Sequence, residues 1–171
     1  LAMRSILMGA QINDIQNMLI ITGDPIPSMA RQTIKAVFHF DSVGLMNIIK
    51  EMNEETFAQH PLLYGGAINQ SRKNLDSILH RVKKKQEAGA SFFLSQPVFT
   101  KEDADRLRFI QSETGATILC GIMPLVSRKN ALFMKNEIAG INVSDTIIER
   151  YPEQATREEG EAVGIALAKE I

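Results

Sequence analysis

The chain of 171 residues has no tryptophan, a single cysteine and a formal net charge of only -1. One thiol cannot form an internal disulfide framework or a multi-cysteine metal site. The near balance of acidic and basic residues gives no electrostatic reason to expect nucleic acid or an anionic membrane as a partner. The one thiol, Cys120, lies in the apolar run 116–122, where we expect it to be buried and inert. Such a composition is typical of a reducing, cytoplasmic setting.

Long apolar runs are also missing, since no stretch approaches the roughly 20 residues that a membrane-spanning helix needs. The start of the chain has too short an apolar run for a signal peptide. It begins with leucine and continues directly into helix-like sequence, which predicts an internal piece of a longer protein. The hydrophobic content of 44% is nevertheless enough for a sizeable core, and we expect one domain over residues 1–171.

Four short apolar runs recur along the chain and predict strands. Each run is mostly uncharged and bounded by Gly, Asn, Asp, Gln or Pro, as expected of strands buried on both faces. The segments between the runs have apolar residues at helical spacing, so they predict helices. The four runs are residues 18–21, 62–68, 92–94 and 116–122.

Capping residues predict where the intervening helices begin and end. Ser42, Thr100 and Ser127 are expected N-caps, and Gly89 is an expected C-terminal stop. Thr156 begins a capping box at the last helix. The apolar faces of the first two helices after the first strand consist of Leu45, Ile48, Ile49 and Met52, and of Leu75, Ile78, Leu79 and Val82.

Strands that alternate with helices imply βαβ units and a parallel sheet. A complete eightfold barrel takes about 250 residues, so this chain is expected to hold about half of one. The predicted fold is therefore α/β, a partial (β/α)8 TIM barrel with about four parallel strands. The alternative is a small open doubly wound sheet, which a chain of this length could complete.

The residues that follow the predicted strands are the candidate binding residues, because function gathers at the carboxyl ends of parallel strands. These ends carry an acid, two amides and several glycines. We expect all four ends to meet at one rim. The side chains or backbone positions expected on that rim are Asp24, Gly66, Gln96 and Met123.

Asp24 and Gln96 each have a structural and a functional interpretation. The Gly-Asp-Pro segment can simply form a turn, or Gly23 can admit a planar ligand while the Asp24 carboxylate sets the local field. A primary amide at the end of a buried strand must find hydrogen-bond partners, which either the protein or a ligand can supply. The residues alone leave these alternatives open.

A basic run at 83–85 shares a predicted helix with Arg81. Such a cluster is usually a solvated helix face, and only one or two of these cations are expected to turn towards a ligand phosphate. His39, His60 and His80 share no metal-ligand spacing, so no metal site is assigned. Neither a P-loop nor the dinucleotide-binding glycine fingerprint occurs.

Eight segments, taken in order, resemble one enzyme family. They include Ile-Thr-Gly-Asp-Pro at 21–25 and Ser-Gln-Pro-Val-Phe at 95–99, and the others lie at 41–45, 66–69, 84–90, 121–125, 128–131 and 136–141. The chain resembles the methylenetetrahydrofolate reductase family over nearly its whole length. The amino-acid sequence of these segments is most similar to that of the bacterial branch in which this barrel follows a homocysteine methyltransferase domain.

The resemblance implies an oxidoreductase with an eightfold barrel and bound FAD. In that family NAD(P)H reduces the flavin, and 5,10-methylenetetrahydrofolate is then reduced to 5-methyltetrahydrofolate. The expected setting is cytoplasmic one-carbon metabolism and methionine biosynthesis. The expected partners are a folate, a fused homocysteine methyltransferase domain and further copies of the chain, because unpaired strand edges favour a homo-oligomer or a swapped assembly.

The resemblance also assigns roles to residues of this chain. Asp24 matches the aspartate that lies near the flavin ring and contacts the folate. Gln96 matches the glutamine that contacts folate, and Lys85 matches the lysine near the flavin phosphates and ribityl chain. Arg81 departs from the family, since it stands where other members have an amide, and is expected to pair with a phosphate instead. The positions that match backbone lining the flavin are Thr22, Gly23, Ser42 and Gly66.

Several positions depart from the family pattern. Thr22 stands where some members have arginine, Ile68 where some have an aromatic residue, and Ile78 where some have an acidic flavin contact. The family's general-acid glutamate belongs to the first barrel strand, which is expected to precede this chain, and the last strand is absent. We therefore expect the chain alone to be inactive.

Two alternatives from other functional classes accompany this expectation. One is a non-catalytic folate- or nucleotide-binding barrel module, which would share the rim but perform no redox step. The other is a different pterin-handling barrel such as a methyltransferase. That enzyme would need a corrinoid or zinc site, and this sequence offers no ligands for either.

Overall fold

The computed structural model describes residues 2–23, 40–138 and 140–171. Strands and helices alternate through the described residues, as the apolar runs predict. The strands are β1 (Asn17–Ile20), β2 (Leu63–Ile68), β3 (Phe92–Ser95) and β4 (Ile118–Leu119). The helices are α1 (Ala2–Ile12), α2 (Ser42–Glu54), α3 (Leu75–Glu87), α4 (Lys101–Thr114), α5 (Arg128–Glu137), α6 (Asp145–Ile148) and α7 (Arg157–Glu170).

The strands are parallel and have the order β1-β2-β3-β4. An open doubly wound sheet reverses its strand order at a switch point, whereas successive strands of a barrel lie side by side. The described strands follow one another without such a reversal. The α/β class and the partial barrel are therefore confirmed, and the doubly wound alternative is not supported.

The chain packs as two compact units. The first comprises Leu1–Ala67 and Arg81–Phe92, and the second comprises Ile68–His80 and Phe93–Ile171. In the first unit, the register of β1 and β2 pairs Ile20 with Gly66. In the second, β3 and β4 pair Phe93 with Ile118.

Strands β1, β3 and β4 each have an exposed apolar residue on one face. Ile20 is buried in the first unit, whereas its neighbour Leu19 points to the other face and is 42% exposed. In the second unit Phe93 is buried and Leu94 is exposed, as is Leu119, which pairs with it. The expectation of strands buried on both faces is therefore wrong for β1, β3 and β4, whereas β2 has buried residues on both faces at Tyr64, Gly65 and Gly66. In a barrel this second face is the interior, which side chains from the whole ring of strands must fill.

The predicted burial of Cys120 is also wrong, since the thiol is exposed. Strand β4 contains only Ile118–Leu119, and the chain leaves the ladder immediately before Cys120. A single bridge between Val98 and Ile122 resumes the pairing beyond it. The apolar run at 116–122 thus predicts a longer covered strand than the one that forms.

The helix ends agree closely with the predicted caps. Thr100 accepts a hydrogen bond from the backbone N–H of Asp103, and Ser127 caps α5 in the same way. Thr156 forms the complete capping box of α7. Gly89 has a φ of 94°, which confirms it as the stop after α3, because glycine adopts the left-handed region without steric cost.

The start of α2 differs from the prediction by one residue. Asp41, rather than Ser42, is the N-cap, and its Oδ1 accepts from the N–H of Gly44 at 2.8 Å. Ser42 is the first helical residue and is buried. On the apolar faces of α2 and α3, the residues that are buried as predicted are Ile49, Met52, Ile78 and Val82.

The second unit has an apolar core between the segment after β4 and its last three helices. Helix α7 approaches this segment so closely that a Cβ at Gly164 would lie 2.0 Å from the carbonyl oxygen of Leu125. The core consists of Phe99, Leu125, Ala131, Val143, Ile147, Ile148, Tyr151 and Leu167. None of the helices in the described part of the chain is long and apolar enough to cross a membrane.

Candidate functional site

The first unit brings the end of β1 to the beginning of α2. The hydroxyl oxygen of Thr22 accepts a hydrogen bond from the backbone N–H of Ser42 at 2.9 Å. This N–H belongs to the first turn of α2, where backbone donors have no partner within the helix. Thr22 and Gly23 are exposed beside it. Asp24, the candidate catalytic residue, lies outside the described residues.

Gly66 and Lys85 form a second contact in the first unit. Lys85 is only 6% exposed, and its Nζ donates to the carbonyl oxygen of Ala67 at 2.8 Å. A Cβ at Gly66 would lie 3.0 Å from Lys85 Cδ and 3.1 Å from Met46 Cε. Glycine at position 66 therefore leaves the space through which the lysine reaches the carboxyl end of β2. A buried ammonium needs such hydrogen bonding, because burying an unpaired charge is costly.

The other cations of this helix point to solvent. Arg81, Lys83 and Lys84 are all exposed, whereas Lys85 is buried. The prediction that only a minority of the run turns inward is consistent with this arrangement. Ile78, which stands at the position of an acidic contact in some family members, is 4% exposed and packs in the protein interior.

The second unit fixes the end of β3 through backbone hydrogen bonds at Gln96. The Gln96 N–H donates to the carbonyl oxygen of Ile68 at 2.9 Å and to Oε1 of Gln70 at 3.2 Å. In return, Nε2 of Gln70 donates to the carbonyl oxygen of Gln96 at 3.0 Å. Gln70 is completely buried, so its amide must be satisfied by the protein.

Ser95 extends this network to the segment after β4. Its hydroxyl donates to the carbonyl oxygen of Gln96 at 2.8 Å and accepts from the N–H of Gly121 at 2.9 Å. The carbonyl oxygen of Gly121 accepts from the N–H of Val98 at 2.8 Å. These bonds hold the carboxyl ends of β3 and β4 in a fixed register.

The side chain and the backbone of Gln96 differ in their hydrogen bonding. The residue is partly exposed, and no hydrogen bond to its side-chain amide comes from within residues 2–23, 40–138 and 140–171. A primary amide has two donors and a carbonyl acceptor. Gln96 therefore combines a rigid backbone with an amide that can serve a ligand.

The structure thus assembles the sequence-predicted residues in two groups. Thr22, Gly23, Ser42, Gly66 and Lys85 belong to the carboxyl ends of β1 and β2 and to the helices behind them, all in the first unit, and exposed Arg81 lies one turn before Lys85. Gln96 and Met123 belong to the second unit. The expectation that Asp24 and the other three residues share one rim stays a prediction.

The amino-acid sequence does not predict the hydrogen-bonding roles of Gln70 and Ser95. Both are small or medium polar residues beside a strand end, and nothing in their local pattern distinguishes them from solvated loop residues. Ser95 was noted only as part of a strand end. The one available signal is a polar residue directly beside an apolar run, which requires a partner if it is buried.

The family of the chain follows from comparison with known proteins. The family model described as methylenetetrahydrofolate reductase matches residues 1–171. The chain belongs to the methylenetetrahydrofolate reductase family. It is accordingly a TIM-barrel domain of a folate-metabolism reductase family. Comparison with curated proteins gives no match.

Proposed function

We propose that the chain is part of an FAD-dependent oxidoreductase that reduces 5,10-methylenetetrahydrofolate to 5-methyltetrahydrofolate with NAD(P)H. The observation that carries this proposal is the family match over residues 1–171. The hydrogen-bonded backbone and the side-chain amide of Gln96 fit the folate contact that the family resemblance implies for this residue. We propose that a longer parent protein performs the complete reaction, since the resemblance implies that the family's general-acid glutamate belongs to a strand preceding this chain.

The residues of the first unit fit a role in holding FAD. Lys85 presents a buried positive charge at the carboxyl end of β2, and a Cβ at Gly66 would intrude to 3.3 Å from its Nζ. We propose that Lys85 serves the flavin phosphates and ribityl chain, and that exposed Arg81 pairs with a phosphate. The proposed backbone lining of the flavin consists of Thr22, Gly23, Ser42 and Gly66. Bound FAD supplies the two-electron carrier that links nicotinamide oxidation to folate reduction.

The folate contact is proposed for Gln96. A pterin ring presents hydrogen-bond donors and acceptors on adjacent atoms, and a planar amide offers both kinds of partner. The backbone bonds at Gln96 support this role, because they reduce the entropy lost when the amide engages a ligand. We propose that the Asp24 carboxylate hydrogen-bonds the same ring and disfavours accumulation of negative charge on the reduced flavin.

The setting of the enzyme is part of the same proposal. We propose a cytoplasmic protein of one-carbon metabolism and methionine biosynthesis, since its composition is typical of a reducing compartment. The amino-acid sequence at the strand ends favours the bacterial arrangement with a fused homocysteine methyltransferase domain. A homo-oligomer or swapped assembly is proposed because the exposed apolar face of the strands requires a covering layer.

An absorption spectrum of the purified parent protein tests the proposal directly. We expect flavin bands in the visible range, bleaching of those bands on anaerobic addition of NAD(P)H, and their return when methylenetetrahydrofolate is added. A colourless protein that still binds folate would support the non-catalytic binding module. A yellow protein whose reduced flavin is not reoxidised by the folate would overturn the assigned reaction.

A further inference from the structure

We propose that Gln70 is a positioning residue for the reaction, which acts by setting the direction in which the Gln96 side chain meets the folate. The inference rests on the proposed folate contact of Gln96. The side chain of Gln70 is fully buried, so it does not contact the substrate. It acts only through its hydrogen bonds to Gln96.

The hydrogen bonds of Gln70 all converge on one short piece of backbone. Its Oε1 accepts from the Gln96 N–H at 3.2 Å, and its Nε2 donates to the carbonyl oxygens of Gln96 at 3.0 Å and of Pro97 at 3.4 Å. One side chain therefore engages both polar backbone groups of Gln96. No other side chain among the described residues forms hydrogen bonds to both of these groups.

Two further restraints act on the same residue. Proline at position 97 disfavours the helical region for Gln96 and favours an extended conformation. The Ser95 hydroxyl also donates to the carbonyl oxygen of Gln96, at 2.8 Å. With the backbone restrained on both sides of its Cα, the direction of the Cα–Cβ bond of Gln96 is set as well.

The physical consequence concerns affinity and orientation. A ligand-binding amide loses less entropy on binding when its backbone is already fixed, and small misplacements of a contact residue weaken binding disproportionately. Without Gln70 the Gln96 N–H would retain its bond to Ile68, so the strand would persist. What would be lost is the contact that restrains the N–H and the carbonyl of Gln96 together, and with it part of the restraint on the direction of the side chain.

A double-mutant cycle in the flavin-loaded parent protein tests the inference. The variants are Gln70→Leu, Gln96→Leu and the double substitution, and the measurements are KM for methylenetetrahydrofolate and the rate of flavin reduction by NAD(P)H. We expect each single substitution to raise KM by roughly tenfold, the effect of about one lost hydrogen bond, and to slow flavin reduction by a smaller factor. Because Gln70 acts through Gln96, the double variant should be no worse than Gln96→Leu.

Tyr151→Phe is the matched control. The Tyr151 hydroxyl is also buried and donates to a backbone carbonyl of the second unit, that of Leu125, at 3.0 Å. Its loss should lower the melting temperature while leaving KM unchanged. If Gln70→Leu behaves like this control, or if its effect on KM adds to that of Gln96→Leu, the positioning role is overturned.

The same cycle separates failure of this inference from failure of the proposed function. If Gln96→Leu leaves KM for the folate unchanged, the proposed folate contact itself is wrong, and the inference falls with it. If Gln96→Leu raises KM but Gln70→Leu does not, the folate contact stands and only the positioning role is rejected.

If Gln70→Leu does not fold, Gln70→Glu tests the proposal instead. This substitution preserves the shape of the side chain. The protonated carboxyl of the glutamate has one donor for the carbonyl oxygen of Gln96 and one acceptor for the Gln96 N–H. Burial and two nearby carbonyl oxygens disfavour the charged form, so the variant should approach wild-type KM as the pH falls. A defect relative to wild type that is the same at every pH would overturn the proposal.

Discussion

Lys83, Lys84 and Lys85 are chemically identical neighbours on α3 that differ only in direction. The first two are exposed, whereas the side chain of Lys85 passes over Gly66 and bonds the carbonyl oxygen of Ala67. A charge held in that position acts on its surroundings through a lower dielectric than a charge in solvent does. The third lysine is therefore the member of the run in which a charge change should have a functional effect.

Lys85→Met in the parent protein tests this difference, because methionine retains much of the length and removes the charge. We expect the substitution to weaken flavin retention by roughly tenfold or more, the typical effect of losing a charge-assisted hydrogen bond. The flavin content of the purified protein and its release on dilution measure the effect. Lys84→Met is the matched control and should retain flavin normally. Equal retention in the two variants would contradict the assignment to Lys85.

Asp24→Asn in the parent protein tests the proposed carboxylate by separating the two half-reactions. Loss of the negative charge removes a charge-assisted hydrogen bond to the folate, so we expect folate reduction to slow by roughly tenfold or more. Flavin reduction by NAD(P)H should change less. Stopped-flow absorbance of the flavin measures each half-reaction. Equal losses in both would argue against a role of this carboxylate on the folate side.

At the scale of the element, helix α7 packs closely against a neighbouring segment because two of its residues, Gly160 and Gly164, have no side chain. A Cβ at Gly160 would lie 2.0 Å from the carbonyl oxygen of Val126, and one at Gly164 would lie equally close to that of Leu125. These glycines stand four residues apart and therefore share one helix face. The close backbone approach that they permit holds the segment after β4 against the core of the second unit.

Gly164→Ala should therefore destabilise the protein, although alanine is the better helix former. We expect a loss of about 1–3 kcal/mol, the usual cost of forcing extra atoms into a packed site. Gly9→Ala is the control, because a Cβ at this glycine of α1 meets nothing within 4 Å. That change should be neutral or stabilise by up to about 1 kcal/mol. Urea unfolding of both variants measures the effects, and a stable Gly164→Ala protein would refute the close packing.

At the scale of the whole molecule, apolar side chains on the second face of the strands remain accessible. In the first unit Leu63 is 47% exposed, and in the second unit Leu119 is 53% exposed. Single exposed apolar residues are common, but Leu94 and Leu119 pair across neighbouring strands of the second unit and are both exposed, and adjacent apolar residues on strands mark surfaces that are normally covered. In a complete barrel this face is the interior, which side chains from the whole ring of strands fill.

We expect the isolated chain to self-associate through this face. At high concentration it should elute from a sizing column with an apparent mass above 19.0 kDa, and Leu119→Lys should shift it towards the monomer, because a charge there opposes apolar burial. Phe109→Lys, which alters an exposed apolar residue of α4, is the control and should have little effect. A chain that is monomeric at every concentration would contradict this expectation.

Features governed by neighbours along the chain were predictable from the sequence. The caps at Thr100, Ser127 and Thr156 depend on side chains that bond backbone three residues away, so their chemistry is contained in a short segment. The apolar runs also marked every described strand within one or two residues, apart from the shorter β4. The exception at the start of α2 is local as well, since Asp41 simply caps the helix one residue before Ser42.

Features governed by contacts between distant segments were decided only by the tertiary structure. The sequence cannot state that Cys120 is exposed, that Lys85 alone of its run is buried, or that Gln70 bonds the backbone 26 residues away. Each of these features depends on which segment of the chain covers which face of a strand or helix. The alternation of apolar and polar residues along the sequence does not determine this. Amino-acid order thus determined the family, the elements and their caps, whereas packing decided which polar groups are withdrawn from water and must find partners inside the protein.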